Sequence, residues 1–151
     1  RSWPEHVRGF LFQGQFGRVS GRFWRAATAL QAARAGTRGR AELVGLARRA
    51  ADSLVAEQRP WATALAHCLR AGAASLGGRD DRAAAELTLA AVRADAASLR
   101  LFAAAARWHA GRLAGGDRGA AMTATAEATM RAVGVVVPGR LAGTLIPGLA
   151  G

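Results

Sequence analysis

The sequence predicts an all-α protein, a stack of antiparallel helical hairpins closed by a short carboxyl-terminal helix. Apolar residues recur three and four apart through alanine-rich stretches, 39 of the 151 residues being alanine, which is the spacing of a helix face. Runs of β-branched residues are confined to Val135, Val136 and Val137. Glycine and proline divide the chain at 36–39, 59–60, 77–78, 115–116, 134, 138–139 and 147–148, leaving about seven helical segments.

Taken in order, Pro4 suits the first turn of a segment over 4–13, where its missing amide would be unpaired in any case, and Val7, Phe10 and Leu11 share a face. A second segment over 18–35 places Phe23, Ala27 and Leu30 together. Between 40 and 57, Leu43, Ala47, Ala50 and Leu54 form a stripe that Glu42, Arg48, Arg49 and Asp52 avoid. Pro60 opens a helix whose inward series is Trp61, Leu65, Cys68, Leu69, Gly72 and Leu76. Asp80 or Asp81 is placed as the cap of the next, with Ala83, Leu87, Ala90, Ala91 and Ala94 inward. The segment over 97–114 faces Phe102, Ala105, Ala106, His109 and Leu113 inward. Asp117 is the expected cap of a helix lined by Met122, Ala126, Met130 and Val133, and Pro138 is expected to stop it. A last short helix carries Leu141, Leu145 and Ile146.

A repeat is visible at an offset of 37, where Leu76-Gly-Gly-Arg-Asp80 aligns with Leu113-Ala-Gly-Gly-Asp117 and Ala83 and Ala84 fall on Ala120 and Ala121. A helical hairpin near this length is the tetratricopeptide unit, and stacked hairpins form a solenoid. The expected hairpins are 18–57, 61–96 and 97–134, with residues 138–148 as the cap of one helical domain. The tryptophan, glycine and tyrosine of the full tetratricopeptide consensus are not all present.

Charge says less than it first suggests. The formal net charge is +11, and all 21 basic residues are arginine. Lysine, asparagine and tyrosine are missing and Ile146 is the one isoleucine, the joint bias of a GC-rich coding sequence. The arginines still favour acidic protein surfaces or nucleic acid. A single cysteine makes no intrachain disulfide, and no apolar run approaches the roughly 18 residues of a membrane helix. The chain is therefore expected to be a cytoplasmic domain, and its start at Arg1 reads as a piece of a longer protein.

Catalytic and ligand-binding chemistry finds no support. His67 and Cys68 are adjacent, so they diverge by about 100° on a helix and cannot readily share a metal. Ser20, Ser53, Ser75 and Ser98 lack a nucleophile elbow. Gly14, Gly17 and Gly21 have the look of a phosphate loop, yet no strand precedes them and no lysine exists to complete it. The expectation is no enzyme, no cofactor and no metal.

The carboxyl end has a cadence of its own: Leu99-Arg-Leu-Phe-Ala-Ala-Ala-Ala-Arg107, Leu113-Ala-Gly-Gly116, Met130-Arg-Ala-Val-Gly-Val135 and Pro138-Gly-Arg-Leu-Ala-Gly-Thr-Leu-Ile-Pro-Gly148. These segments resemble the end of the tetratricopeptide-like region in multidomain serine/threonine kinases of myxobacteria, with Met130, Gly134, Val135, Pro138, Arg140, Pro147 and Gly148 matching in order. Pro60-Trp61 followed by Ala64, Leu65, Leu69, Arg70, Ala71, Gly72 and Ala74 resembles the same region. The resemblance covers about 60–148, and Val136 and Val137 depart from it where the family has a polar residue. It implies a non-catalytic interaction or regulatory domain whose partner is a protein or peptide, another domain of the parent chain included. Arg70, Arg107, Arg112 and Trp108 are the expected partner-binding residues, on a concave helical surface. Arginine-mediated nucleic-acid binding is the alternative.

Overall fold

The structure is a computed structural model that describes residues 5–36 and 38–149, with side chains from residue 14 onward. Among these residues the chain forms seven α-helices and no strand: α1 (Glu5–Arg34), α2 (Arg40–Ala56), α3 (Pro60–Leu76), α4 (Asp80–Ala96), α5 (Arg100–Ala114), α6 (Gly116–Arg131) and α7 (Pro138–Leu145). The all-α class is thus as the sequence predicts.

The two segments expected at 4–13 and 18–35 are one 30-residue helix. Glycine weakens a helix by about 1 kcal/mol without blocking its hydrogen bonds. Gly14, Gly17 and Gly21 lie exposed on α1, while Val19, Phe23, Ala26 and Leu30 are buried and anchor it. The phosphate-loop pattern is therefore helix surface. The expectations for Trp3, Pro4, Val7, Phe10 and Leu11 lie outside the residues whose side chains are described.

Helices α2 to α5 begin at 40, 60, 80 and 100, a pitch of twenty residues, and α2, α3 and α4 are each 17 residues long. Each turn between them holds three residues, and the middle one takes a left-handed conformation: Gln58 (φ 52), Gly78 (φ 68) and Ser98 (φ 60). The Arg79 amide then donates to the Ala74 carbonyl at 3.0 Å and the Leu99 amide to Ala94 at 2.8 Å, which satisfies carbonyls that a helix end leaves open. Helix α6 ends by the same device, Val135 donating to Met130 at 3.1 Å after Gly134. So α6 stops at Arg131, ahead of Pro138, which instead opens α7. The offset of 37 aligns only the α3–α4 and α5–α6 turns, because α5 has 15 residues and starts its successor early.

Asp80, Asp81 and Asp117 are not caps. They stand in the first turns of α4 and α6, where carboxylates favour the helix dipole, and Arg79 and Gly115 hold the cap positions without a side-chain bond. Val133, expected inside, is half exposed because it lies beyond the end of α6.

Each helix packs on the next, α1 packs on α3, and Phe23 of α1 meets Phe102 of α5 with ring centroids 5.8 Å apart. Helices α1, α3 and α5 therefore form one layer and α2, α4 and α6 the other. Leu30, Leu54, Leu69, Leu87 and Met130 fill the space between layers, and buried alanines surround them. Alanine removes little apolar area per residue but lets helix axes approach closely. Such a close approach is seen at α5 and α6, where a Cβ on Gly111 would lie 2.6 Å from Thr123 Oγ1 and 2.8 Å from the Gly119 carbonyl oxygen.

The carboxyl-terminal cap does more than cover the last hairpin. Helix α7 lies on α5 and α6, and the residues after it continue across the first layer to α3 and α1. Ile146, Pro147 and Leu149 are buried there.

Candidate functional site: two grooves flanking helix α4

The face formed by α2, α4 and α6 carries two grooves, one on each side of α4. The first, of about 390 Å³, is floored by α3 and walled by α2 and α4. Arg48, Arg70, Arg79 and Arg82 line it together with Asp52 and Glu86. Arg70 is bound to Asp52 at 2.8 Å and Glu86 accepts from His67 Nδ1 at 2.7 Å. Arg48, Arg79 and Arg82 have no acidic partner within 4.0 Å among the described residues, so the groove is cationic on balance.

The second groove, of about 680 Å³, lies between α4 and α6 over α5. Leu87, Ala91 and Val92 form one wall, Met122 and Ala126 the other, and Ala104 and Ala110 the floor. Thr88, Thr125 and Thr129 also line it, but each hydroxyl donates to the carbonyl four residues earlier, at 3.0, 2.9 and 3.0 Å. With those hydroxyls satisfied within their own helices, the methyl groups add to an apolar lining. Arg107 and Arg118 stand at its rim. The helix pitch explains the difference between the grooves: forty residues after Arg70 comes Ala110, so the side chain that fills the first groove is absent from the second.

The four residues expected to bind a partner do not form one concave set. Arg70 belongs to the cationic groove and Arg107, paired with Asp95, to the rim of the apolar one. Trp108 is 4% exposed; its Nε1–H donates to Glu127 at 3.1 Å and Gly139 lies against its ring, so it fastens α5 to α6 and α7. That bond from Trp108 is the main reason Glu127 stays below the usual carboxylate range, with Arg131 adding to it and burial opposing. Arg112 stacks over the Trp108 ring at 5.0 Å. The α1/α3/α5 layer, whose helices carry all four, is crossed by the chain's own residues 146–149. The apolar groove escaped the sequence reading because Val92 and the threonines sit on helix faces that pattern alone assigns to solvent, while Met122, read as an inward residue of its helix, is left partly uncovered in the groove wall.

No three His, Cys, Asp or Glu side chains gather among the described residues. His67 is engaged by Glu86, and Cys68 is fully buried, which pushes its thiol up to about 12. In the folded protein at pH 8, Cys68 should therefore resist an aromatic disulfide reagent for hours and react stoichiometrically once denaturant is added, as absorbance of the released thiolate will show. No described helix is long and apolar enough to cross a membrane.

No family model, curated protein or solved structure matches the chain.

Proposed function

We propose that this chain is a non-catalytic, tetratricopeptide-like interaction domain, akin to the carboxyl-terminal region of the kinases it resembles, and that it binds through the face with the two grooves. The observation that carries the reading is the apolar groove between α4 and α6, open along a helical layer and rimmed by Arg107 and Arg118. An amphipathic helix laid in it would bury apolar residues spaced i, i+3, i+4 and i+7 against Leu87, Val92 and Met122. Acidic residues on its flanks would meet Arg118 and, across α4, Arg48, Arg79 and Arg82, which have no acidic partner among the described residues.

The test is a fluorescence-anisotropy titration with a labelled 18-residue amphipathic helix carrying Leu on one face and Glu on its flanks. Binding should weaken at least tenfold in a Val92→Asp, Met122→Asp variant and several-fold in Arg118→Glu. Equal binding of a peptide whose Glu residues are replaced by Lys, or no effect of either variant, defeats the proposal. Nucleic acid is the weaker reading, since the larger groove is lined by apolar side chains that offer a phosphate backbone nothing to bind. An oligonucleotide titration whose affinity falls steeply with salt would restore it.

A further inference from the structure

Of the six phenylalanine and tryptophan side chains described, five meet in one place. Phe16, Phe23 and Trp24 of α1, Trp61 of α3 and Phe102 of α5 line a cavity of about 200 Å³ toward the amino ends of α3 and α5. Phe16 packs on Trp61 with ring centroids 5.5 Å apart, and Phe23 stands edge-on to Trp24 at 5.0 Å. Phe16 and Trp24 nevertheless stay 54% and 45% exposed, where aromatic rings ordinarily bury. The coding bias that removes lysine, asparagine and tyrosine acts equally against phenylalanine, whose codons are also AT-rich, yet every phenylalanine with a described side chain lies here.

The side-chain polar groups around this cavity are donors with nothing to donate to. The indole N–H of Trp108 donates to Glu127, but those of Trp24 and Trp61 have no acceptor among the described residues. The Ser20 hydroxyl, also in the lining, lacks the bond to the carbonyl four residues back that Thr28 and Ser53 make at 2.9 and 3.1 Å. No carboxylate lines the cavity, and Glu57 is engaged by Gln15 and Arg22 at 3.1 and 2.8 Å, so a cationic ligand would find no counter-charge. An occupant matched to aromatic walls and free donors is apolar in body, rich in carbonyl oxygens and poor in N–H groups. A polyproline II segment has these properties, because its rings stack, its prolines carry no amide hydrogen and its carbonyls make no internal bonds.

The same layer already seats a chain of this kind. Ile146, with extended backbone (φ −122, ψ 91), leads into Pro147, whose carbonyl lies over Gly72 of α3 where any side chain would strike it. Leu65, in the aromatic cavity, precedes Gly72 by two turns of α3, about 10 Å. From five rings and three free donors, we propose that this end of the α1/α3/α5 layer binds a proline-rich segment of a partner in polyproline II form. Its rings pack on Phe16 and Trp24, and its carbonyls accept from Ser20 and the two indoles. The site is separate from the grooves flanking α4 and does not depend on a helix binding there.

The test is an anisotropy titration of fluorescently labelled decaproline with the full chain. Saturable binding is expected, weakened about tenfold by Trp24→Ala, which removes an exposed ring and leaves the core in place. Trp61→Phe, which keeps a ring and removes one N–H, should weaken it several-fold. Circular dichroism checks that each variant keeps its helicity, and Ser20→Ala replaces Trp61→Phe if that variant loses it. In nitrogen–proton correlation spectra the indole signals of Trp24 and Trp61 should shift with decaproline, while that of Trp108, already bonded to Glu127, stays. No binding up to about 1 mM, equal binding of a glycine-serine peptide of the same length, or undiminished binding by the Trp24 variant overturns the proposal. Tetramethylammonium producing the indole shifts where decaproline does not would also overturn it, by assigning the cavity to a cation.

Discussion

Gly119→Val should lower the midpoint of thermal unfolding by roughly 10 °C, read by circular dichroism at 222 nm. In this position the added carbon meets the Gly111 carbonyl oxygen, an atom of the facing backbone. A flexible side chain in the way would swing aside, but a backbone carbonyl moves only if α5 and α6 separate, which also breaks the fit of Gly111 against Thr123. Overpacking of a close-packed site costs about 1–3 kcal/mol and more when backbone must shift, and a domain of this size loses about 2–4 °C per kcal/mol. Gly21→Ala is the control with the opposite sign. Nothing lies within 4 Å of a Cβ built there, α1 is already helical at that position, and the midpoint should rise by a few degrees as about 0.5–1 kcal/mol of helix propensity is recovered. Equal responses of the two variants would mean that α5 and α6 do not cross at their glycines.

The second large effect is on pH dependence. His109 is 1% exposed beneath α7, and its pKa is lowered from 6.5 to about 4. Burial is the largest cause; a hydrogen bond with the Ala142 backbone opposes it, and the charges of Arg112 and Arg34 add to it. The native ring is neutral, while the unfolded ring binds a proton below pH 6.5. Between pH 6.5 and 4 the unfolded state therefore holds the additional proton, and stability falls as pH falls, by about 3 kcal/mol across the window. Below pH 4 the native ring protonates as well and this contribution levels off. Glu57 and Glu127, both held below the ordinary carboxylate value of 4.5, lose their stabilising contribution in a separate, more acidic range. Chemical denaturation at pH 7, 6, 5 and 4.5 should show a slope approaching one proton for the native sequence and a flatter one for His109→Leu. Because Nε2 of His109 has no partner among the described residues, that variant should also lose no stability at pH 5. A native slope unchanged by the substitution would place the titration elsewhere.

Helix faces were legible in the sequence and long-range returns were not. Leu54, Leu69 and Leu87 are fully buried as their stripes predict, and the turns at 58, 78 and 98 fall where the stripes end. Local hydrogen bonding and a local apolar face settle such features, so a window of residues contains the information. The continuity of α1 through Gly14 and Gly17 was not legible, since glycine in a long helix resembles glycine in a turn until the packing of Val19 and Phe23 is known. Gly72 reads correctly as inward-facing, but what it faces is Pro147, 75 positions later in a different element, and no periodicity links the two. For the grooves, Arg70 and Arg107 look alike as arginines on helices. Only the placement of Ala110 opposite Met122 and Val92 makes one groove apolar while Asp52 and Glu86 fill the other with charge.

The way residues 146–149 reach back to α1 also orders events during synthesis. Most contacts among α1 to α6 are made between neighbours in the chain, so each helix can settle on its predecessor as it leaves the ribosome, with little loop entropy to overcome. The Gln31–Gly143 and Arg34–Leu149 bonds span 112 and 115 positions, and their receptor needs α1, α3 and α5 already side by side. The segment therefore reports on the whole stack: a nascent chain with one helix misplaced offers it no seat, and Ile146 and Leu149 then stay exposed as apolar surface for quality control to find.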